Sequence, residues 1–231
     1  MNAPLVLIGA IVAVVGIGFA AWSWRERSRL LAAPVVGPEH AGAHRGEVIV
    51  AGVARGTTTT SPWTGRAGLV FSADELVDSQ ERSQDGSTRR RTTRRSLGTH
   101  LERVEITEAG SATGAGGPAL DVRPTDKITL RHFPKMTTAS SGGQLPSISI
   151  GSISLASDRS RVEEVVVADG DRVWVLGTIE TNADGASHLT GKQIWSAKDP
   201  DAMASQLQLK ALAGAGAGVV GLVLAIVGLA A

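Results

Sequence analysis

The most constraining feature of this chain is a long apolar run near each end. Residues 3–22 and residues 211–231 contain no charged side chain. At a rise of about 1.5 Å per residue, a twenty-residue helix is about 30 Å long, which matches the hydrocarbon core of a bilayer. We therefore predict an integral membrane protein with one transmembrane helix over residues 1–24 and a second within residues 199–231.

A cleaved signal peptide is the alternative for the first run. Such a peptide carries Lys or Arg before its apolar stretch and a small-residue cleavage site after it. The four residues "MNAP" that open the chain contain neither Lys nor Arg, and "WSWRERSR" follows the run. The pattern favours a retained membrane helix.

Basic residues lie on the inner side of both runs. Arg25, Arg27 and Arg29 follow the first, whereas Lys198 and Lys210 precede the second. Because cytoplasmic flanks are enriched in Lys and Arg, this asymmetry predicts that residues 25–210 lie in the cytoplasm, beneath the cell membrane.

Both runs carry small residues at matching intervals of four, three and four positions. Such stripes allow two helices to approach closely in lipid. We expect the stripes to pack together, either within one chain or between the copies of a homo-oligomer. Their members are Gly9, Ala13, Gly16 and Ala20 in the first run, and Gly214, Gly218, Gly221 and Ala225 in the second.

Between the runs, a Pro- and Gly-containing linker over residues 25–45 precedes a β-rich region over residues 46–198. Short stretches such as "EVIVAGVARG", "ALDVRP", "VEEVVVA" and "DRVWVLGTIE" read as strands, and Gly-rich turns separate them. This pattern predicts a mainly β fold, a single OB-like β-barrel or sandwich. Asp199 and Pro200 then form a helix start that leads into the second membrane helix.

The stretch "SPWTGR" has the composition of a tight connection between two strands. Pro62 fixes its own φ at a turn position, and Gly65 can adopt a positive φ. In this interpretation Arg66 is placed to reach a carboxylate.

The order of these segments resembles the GIDE domain, also called the beside-a-membrane domain, of mitochondrial-type E3 ubiquitin ligases and their prokaryotic relatives. The resemblance covers roughly residues 46–231. Its serine-proline-x-serine/threonine-glycine turn corresponds to Ser61, Pro62, Thr64 and Gly65, and its later strand motif includes Gly170, Asp171 and Gly177.

The resemblance implies a membrane-anchored module but does not carry ligase activity to this sequence. The eukaryotic ligases use a RING, which needs cysteine ligands for zinc, and this sequence has no cysteine. We expect a non-catalytic interaction or scaffold module with an unknown protein partner. The alternative is a membrane-bound component of a ligase or hydrolase system. We predict no catalytic, metal or cofactor site.

Five arginines within "TRRRTTRR" form a candidate contact with acidic lipid headgroups. Each basic residue near an acidic leaflet can add about 1 kcal/mol of binding. The other interpretation is a solvated hairpin end or a flexible insertion. Nucleic-acid binding is disfavoured, because the middle of the chain has few aromatic residues for base stacking. The arginines are Arg89, Arg90, Arg91, Arg94 and Arg95.

Overall fold

The computed structural model describes residues 2–82, 88–109, 118–125, 128–139, 149–150, 153–154 and 156–230. The chain forms two compact units. One combines Met1–Pro34 with Lys198–Ala231, and the other is Val35–Ala197.

Three helices are present in the described residues: α1 (Ala3–Ala32), α2 (Pro38–Ala41) and α3 (Pro200–Ala230). Helices α1 and α3 are both long and apolar enough to cross a membrane. Helix α1 continues beyond the predicted limit at residue 24. Its last turns contain good helix formers and an i,i+3 pair between Arg29 and Glu26, which stabilises a helix at its surface.

Helix α1 packs antiparallel against α3 through the two predicted small-residue stripes. A Cβ added to Gly16 would lie 2.5 Å from the backbone nitrogen of Gly218, and one added to Gly9 would lie 2.5 Å from that of Ala225. Only glycine permits this approach of the two backbones. The stripes therefore pack within one chain, so association between copies would have to use other helix faces.

The start of α3 follows its sequence signals. The Asp199 carboxylate accepts a hydrogen bond from the Ala202 amide at 2.7 Å, as an N-cap residue does. Pro200 occupies the first helical position, and α3 then runs without interruption to Ala230.

The strands of the second unit are numbered in chain order. They are β1 (Val35–Val36), β2 (Gly46–Gly56), β3 (Thr59–Thr60), β4 (Ala67–Gly68), β5 (Val70–Arg82), β6 (Thr88–Leu101), β7 (Val104–Thr107), β8 (Ala119–Val122), β9 (Ile128–Arg131), β10 (Lys135–Ala139), β11 (Ser149–Ile150), β12 (Ile153–Ser154), β13 (Ala156–Val167), β14 (Arg172–Thr181) and β15 (Ser187–Ser196).

Five of these strands close into a barrel, which confirms the predicted mainly β fold. The ring runs β2–β14–β15–β8–β7, and pairing of β7 with β2 completes it. Alternating side chains of β2 and β14, including Val48, Val50, Val173 and Val175, are fully buried in its core. Gly177 of β14 faces Leu189, where an added Cβ would lie 2.8 Å from the leucine Cγ.

The barrel unit begins at Val35, so the predicted linker over residues 25–45 differs from the structure. On the long strand β2, β7 pairs with Val53–Gly56. Strand β1 pairs in parallel with Ile49 and Val50, which lie nearer the start of β2. Ala41 of α2 is fully buried in the barrel core. A composition rich in Pro and Gly thus concealed a short strand and a helical turn.

A second sheet, in the order β10–β13–β5–β6, adjoins the barrel core through its inner end, where Val70, Leu101 and Val167 are buried. Strands β5 and β6 pair along 13 residues of β5, with one bulge. The arginine run lies in β6, where pairing with β5 begins at Arg82 and Thr88, so it forms the exposed end of the β5–β6 hairpin rather than a flexible insertion. The short β3–β4 hairpin is a separate two-stranded sheet.

Candidate functional site

The predicted turn motif connects β3 to β4 and is fastened to a buried glutamate. Ser61 and Thr64 both donate side-chain hydroxyl hydrogen bonds to the Glu164 carboxylate, one to each oxygen. The Ser61 Oγ also accepts the amides of Trp63 and Thr64, at 3.1 and 3.2 Å. Gly65 has φ +73°, which confirms the positive φ expected of this turn.

Glu164 is the residue of this site that the sequence interpretation missed. Its side chain is fully buried on β13. A buried carboxylate is costly unless hydrogen-bond donors surround it, and the two hydroxyls supply them. The signal was available in "VEEVVV", because strict alternation turns one of two adjacent glutamates toward the same face as Val162. The Ser61 hydroxyl is itself buried, so this pair holds the turn in place and does not present a nucleophile.

The second motif forms the turn between β13 and β14. Gly170 has φ +91°, and the Asp171 carboxylate accepts the Ala168 amide at 2.8 Å. Backbone hydrogen bonds of 2.9 Å join Ala54 on β2 to both Gly170 and Asp171. The turn is therefore attached to the barrel.

The segments that carry the two motifs meet at a groove. The cavity has a volume of about 360 Å³ and a mainly apolar lining. Residues directly after the first motif form one wall of the cavity. Residues of the second motif and its neighbours form another wall, and the third includes the start of β10. Its lining residues are Arg66, Ala67, Phe133, Pro134, Met136, Val166, Ala168, Asp171, Arg172 and Ala197.

Met136 gives this groove an apolar surface that water can reach. Its side chain is 41% exposed, and among the described residues of the barrel unit only Val35 is another exposed large apolar side chain. The Arg66 guanidinium contacts the Met136 thioether rather than the carboxylate expected from sequence.

The charged groups of the groove favour an anionic ligand. The lining contains two guanidiniums, those of Arg66 and Arg172, and one carboxylate, that of Asp171. The Arg172 guanidinium lies 5.0 Å from the centre of the Trp174 ring, an arrangement that holds the cation by cation–π attraction. Two guanidiniums beside apolar side chains can bind carboxylates next to an apolar group.

The arginine run divides between the two faces of the second sheet. Arg90 lies 3.0 Å from the Asp78 carboxylate, and Arg94 pairs with Asp74. Arg91 and Arg95 are exposed, and alternation along β6 places them on the other face of the sheet. Their register partners on β5 are Ser79 and Glu75. The side chain of Arg89 lies outside the described residues.

Asp78 is the centre of the charged face. Its carboxylate accepts the Thr92 hydroxyl at 2.6 Å and lies 3.5 Å from Arg161 as well as close to Arg90. The Thr92 hydrogen bond, with help from the two guanidiniums, holds the pKa of Asp78 below its ordinary value. The hydrogen bond and ion pair with Asp74 raise the pKa of Arg94. This face is therefore an ion-pair network rather than an unbalanced positive patch.

The chain matches no family model, no curated protein and no solved structure.

Proposed function

We propose that this chain is a membrane-anchored, non-catalytic interaction module whose groove binds a partner protein. The observation that carries the proposal is the groove itself, where the segments of two turn motifs bring Arg66 and Arg172 into the same lining as the exposed Met136. Methionine and arginine are both enriched at protein interfaces, because methionine adapts its shape and arginine makes multiple hydrogen bonds.

Exposure of the two long helices supports the membrane anchor. Only 17% of the most apolar window of α1 and 22% of that of α3 is buried, whereas the core helix of a soluble protein is mostly buried. Leu7 and Val14 are 63% and 71% exposed. Lipid would cover these side chains. Packing of α1 against α3 also favours a retained helix over a cleaved signal.

The likeness to a GIDE domain supports the same function, since that domain is a module held beside a membrane. We further propose that the barrel unit lies on the cytoplasmic side of the cell membrane, from the position of Arg25, Arg27 and Arg29. In the alternative, where the chain belongs to a ligase or hydrolase system, the groove would hold an enzyme partner, and the chemistry would reside in that partner.

Site-specific photo-crosslinking tests the interaction function. A photoreactive amino acid replaces Met136 in the full chain, and the matched control carries it at Val35, which is 54% exposed. We expect protein adducts in intact cell membranes from position 136 and far fewer from position 35. Equal adducts at both positions, or none at 136, would contradict the proposal.

A further inference from the structure

Building on the proposed function, we infer that the groove takes an extended acidic peptide segment of the partner. One apolar side chain of the segment packs on Met136 and Phe133, and its neighbouring carboxylates pair with Arg66 and Arg172. Size is the first reason. A cavity of about 360 Å³ admits one or two side chains rather than a folded domain.

Charge is the second reason. The groove has two guanidiniums and one carboxylate, and that carboxylate already accepts a backbone amide at 2.8 Å. A carboxylate on the partner can therefore meet an arginine without displacing Asp171. A basic or neutral segment would leave both guanidiniums without a counterion in the interface, which costs free energy.

Strand β10 supplies the third reason and favours a peptide over a lipid. Within the described part of the chain, β10 pairs with β13 alone and stands at the edge of its sheet. Its outer edge offers main-chain donors and acceptors next to Met136, and an extended peptide can bind such an edge by strand addition. An acyl chain has no groups to pair with them.

Fluorescence anisotropy with the full chain in lipid nanodiscs tests the inference. The probe is a labelled peptide of sequence Asp-Glu-Leu-Phe-Glu-Asp, and its counterpart carries Lys at each acidic position. We expect saturable binding of the acidic peptide only. In the variant with Arg66→Glu and Arg172→Glu, the affinity for the acidic peptide should fall by about tenfold or more, since two attractive pairs become repulsive.

The double variant with Arg45→Glu and Arg103→Glu is the charge-matched control, because both side chains are exposed and lie outside the groove. It should bind like the wild type. A second pair, Arg66→Gln and Arg172→Gln, removes the charge without adding repulsion and should show an intermediate loss. Thermal unfolding of each variant verifies that it is folded.

Equal binding of the acidic and basic peptides, or unchanged binding by the Arg66→Glu and Arg172→Glu variant, overturns the inference. Micelles of a short-chain phosphatidylglycerol form the lipid arm. Binding of that lipid which is lost in the double variant, without binding of the acidic peptide, overturns the inference in favour of a lipid ligand. Crosslinks at position 136 without binding of the acidic peptide leave the interaction function in place and overturn only the partner chemistry.

Discussion

At the scale of single residues, the buried carboxylate of Glu164 determines how the turn motif is held. Its two oxygens are satisfied by Ser61 and Thr64, which lie about a hundred residues earlier in the chain. Since Arg66 and Ala67 follow directly, the same hydrogen bonds position one wall of the groove. A serine and a threonine in a turn thus acquire a role that their local sequence does not reveal.

Replacing Ser61 with alanine should lower the free energy of unfolding by about 1–3 kcal/mol, because the buried carboxylate loses a donor. Thermal and denaturant unfolding in nanodiscs measure the loss. In a double-mutant cycle, Ser61→Ala should cost much less when Glu164 is already Gln. Thr57→Ala, at an exposed position before the same hairpin, is the control. Additive costs in the cycle would refute the coupling.

Asp78 makes the stability of the second sheet depend on acid. The pKa of this carboxyl is lowered in the folded state from an ordinary value of 3.8, so ionised Asp78 stabilises the fold above that pH. Protonation removes the stabilisation as the pH falls through the folded pKa. We expect thermal stability to fall more steeply below about pH 4 in the wild type than in Asp78→Asn. Glu108→Gln, an exposed control, should retain the wild-type slope, and identical slopes in all three proteins would contradict the assignment.

At the scale of elements, alternation and turn chemistry identified most strands but missed the longest hairpin. Strands β2 and β14 alternate buried valines, and this pattern is visible in the sequence. Strand β6 has charges where alternation demands apolar residues, because its partners on β5 are the carboxylates of Asp74 and Asp78. Pairing between strands is not local information. Strand β15 is difficult to recognise in the sequence for another reason: Gly191, with φ +75°, interrupts its pattern where the register with β14 shifts.

The ion pairs change what the arginine run should do. Replacing Arg90 and Arg94 with serine should destabilise the sheet, because Asp78 and Asp74 lose their partners. Replacing Arg91 and Arg95 with serine should instead reduce binding to acidic vesicles, which we retain as a proposal for the exposed opposite face. Sedimentation with acidic vesicles measures this binding for the isolated unit Val35–Ala197, after circular dichroism verifies that the unit is folded. Equal vesicle binding by both variants and the wild type would exclude a lipid contact.

The helix pair offers a matched test of its glycines. An added side chain at Gly16 would meet the backbone of α3, whereas one at Gly18 would meet nothing within 4 Å. We expect Gly16→Leu to lower the free energy of unfolding in nanodiscs by about 1–3 kcal/mol, as overpacking does, or to separate the two helices. Gly18→Leu should have little effect. Similar losses from both substitutions would argue against the close backbone contact.

At the scale of the whole molecule, orientation across the membrane decides which partners the groove can meet. The proposed cytoplasmic placement rests on the positions of Arg25, Arg27 and Arg29. A reporter inserted at the exposed turn around Gly185 should be active if it functions only inside the cell. Activity only of a reporter that folds after export would reverse the placement. Changing the three arginines to glutamine in the same fusion should weaken the preference for one side.

The glycine contact between α1 and α3 has a consequence for synthesis. Its two halves lie at opposite ends of the sequence, with the whole barrel between them. At a translation rate of about 5–20 residues per second, α3 emerges roughly 10–30 s after α1. With the proposed membrane anchor, the glycine stripe of α1 would be exposed to lipid throughout that interval. Any neighbouring helix with small residues can occupy that surface before the native one arrives. Slower translation should therefore raise the fraction of chains in which α1 is paired with a helix of another protein.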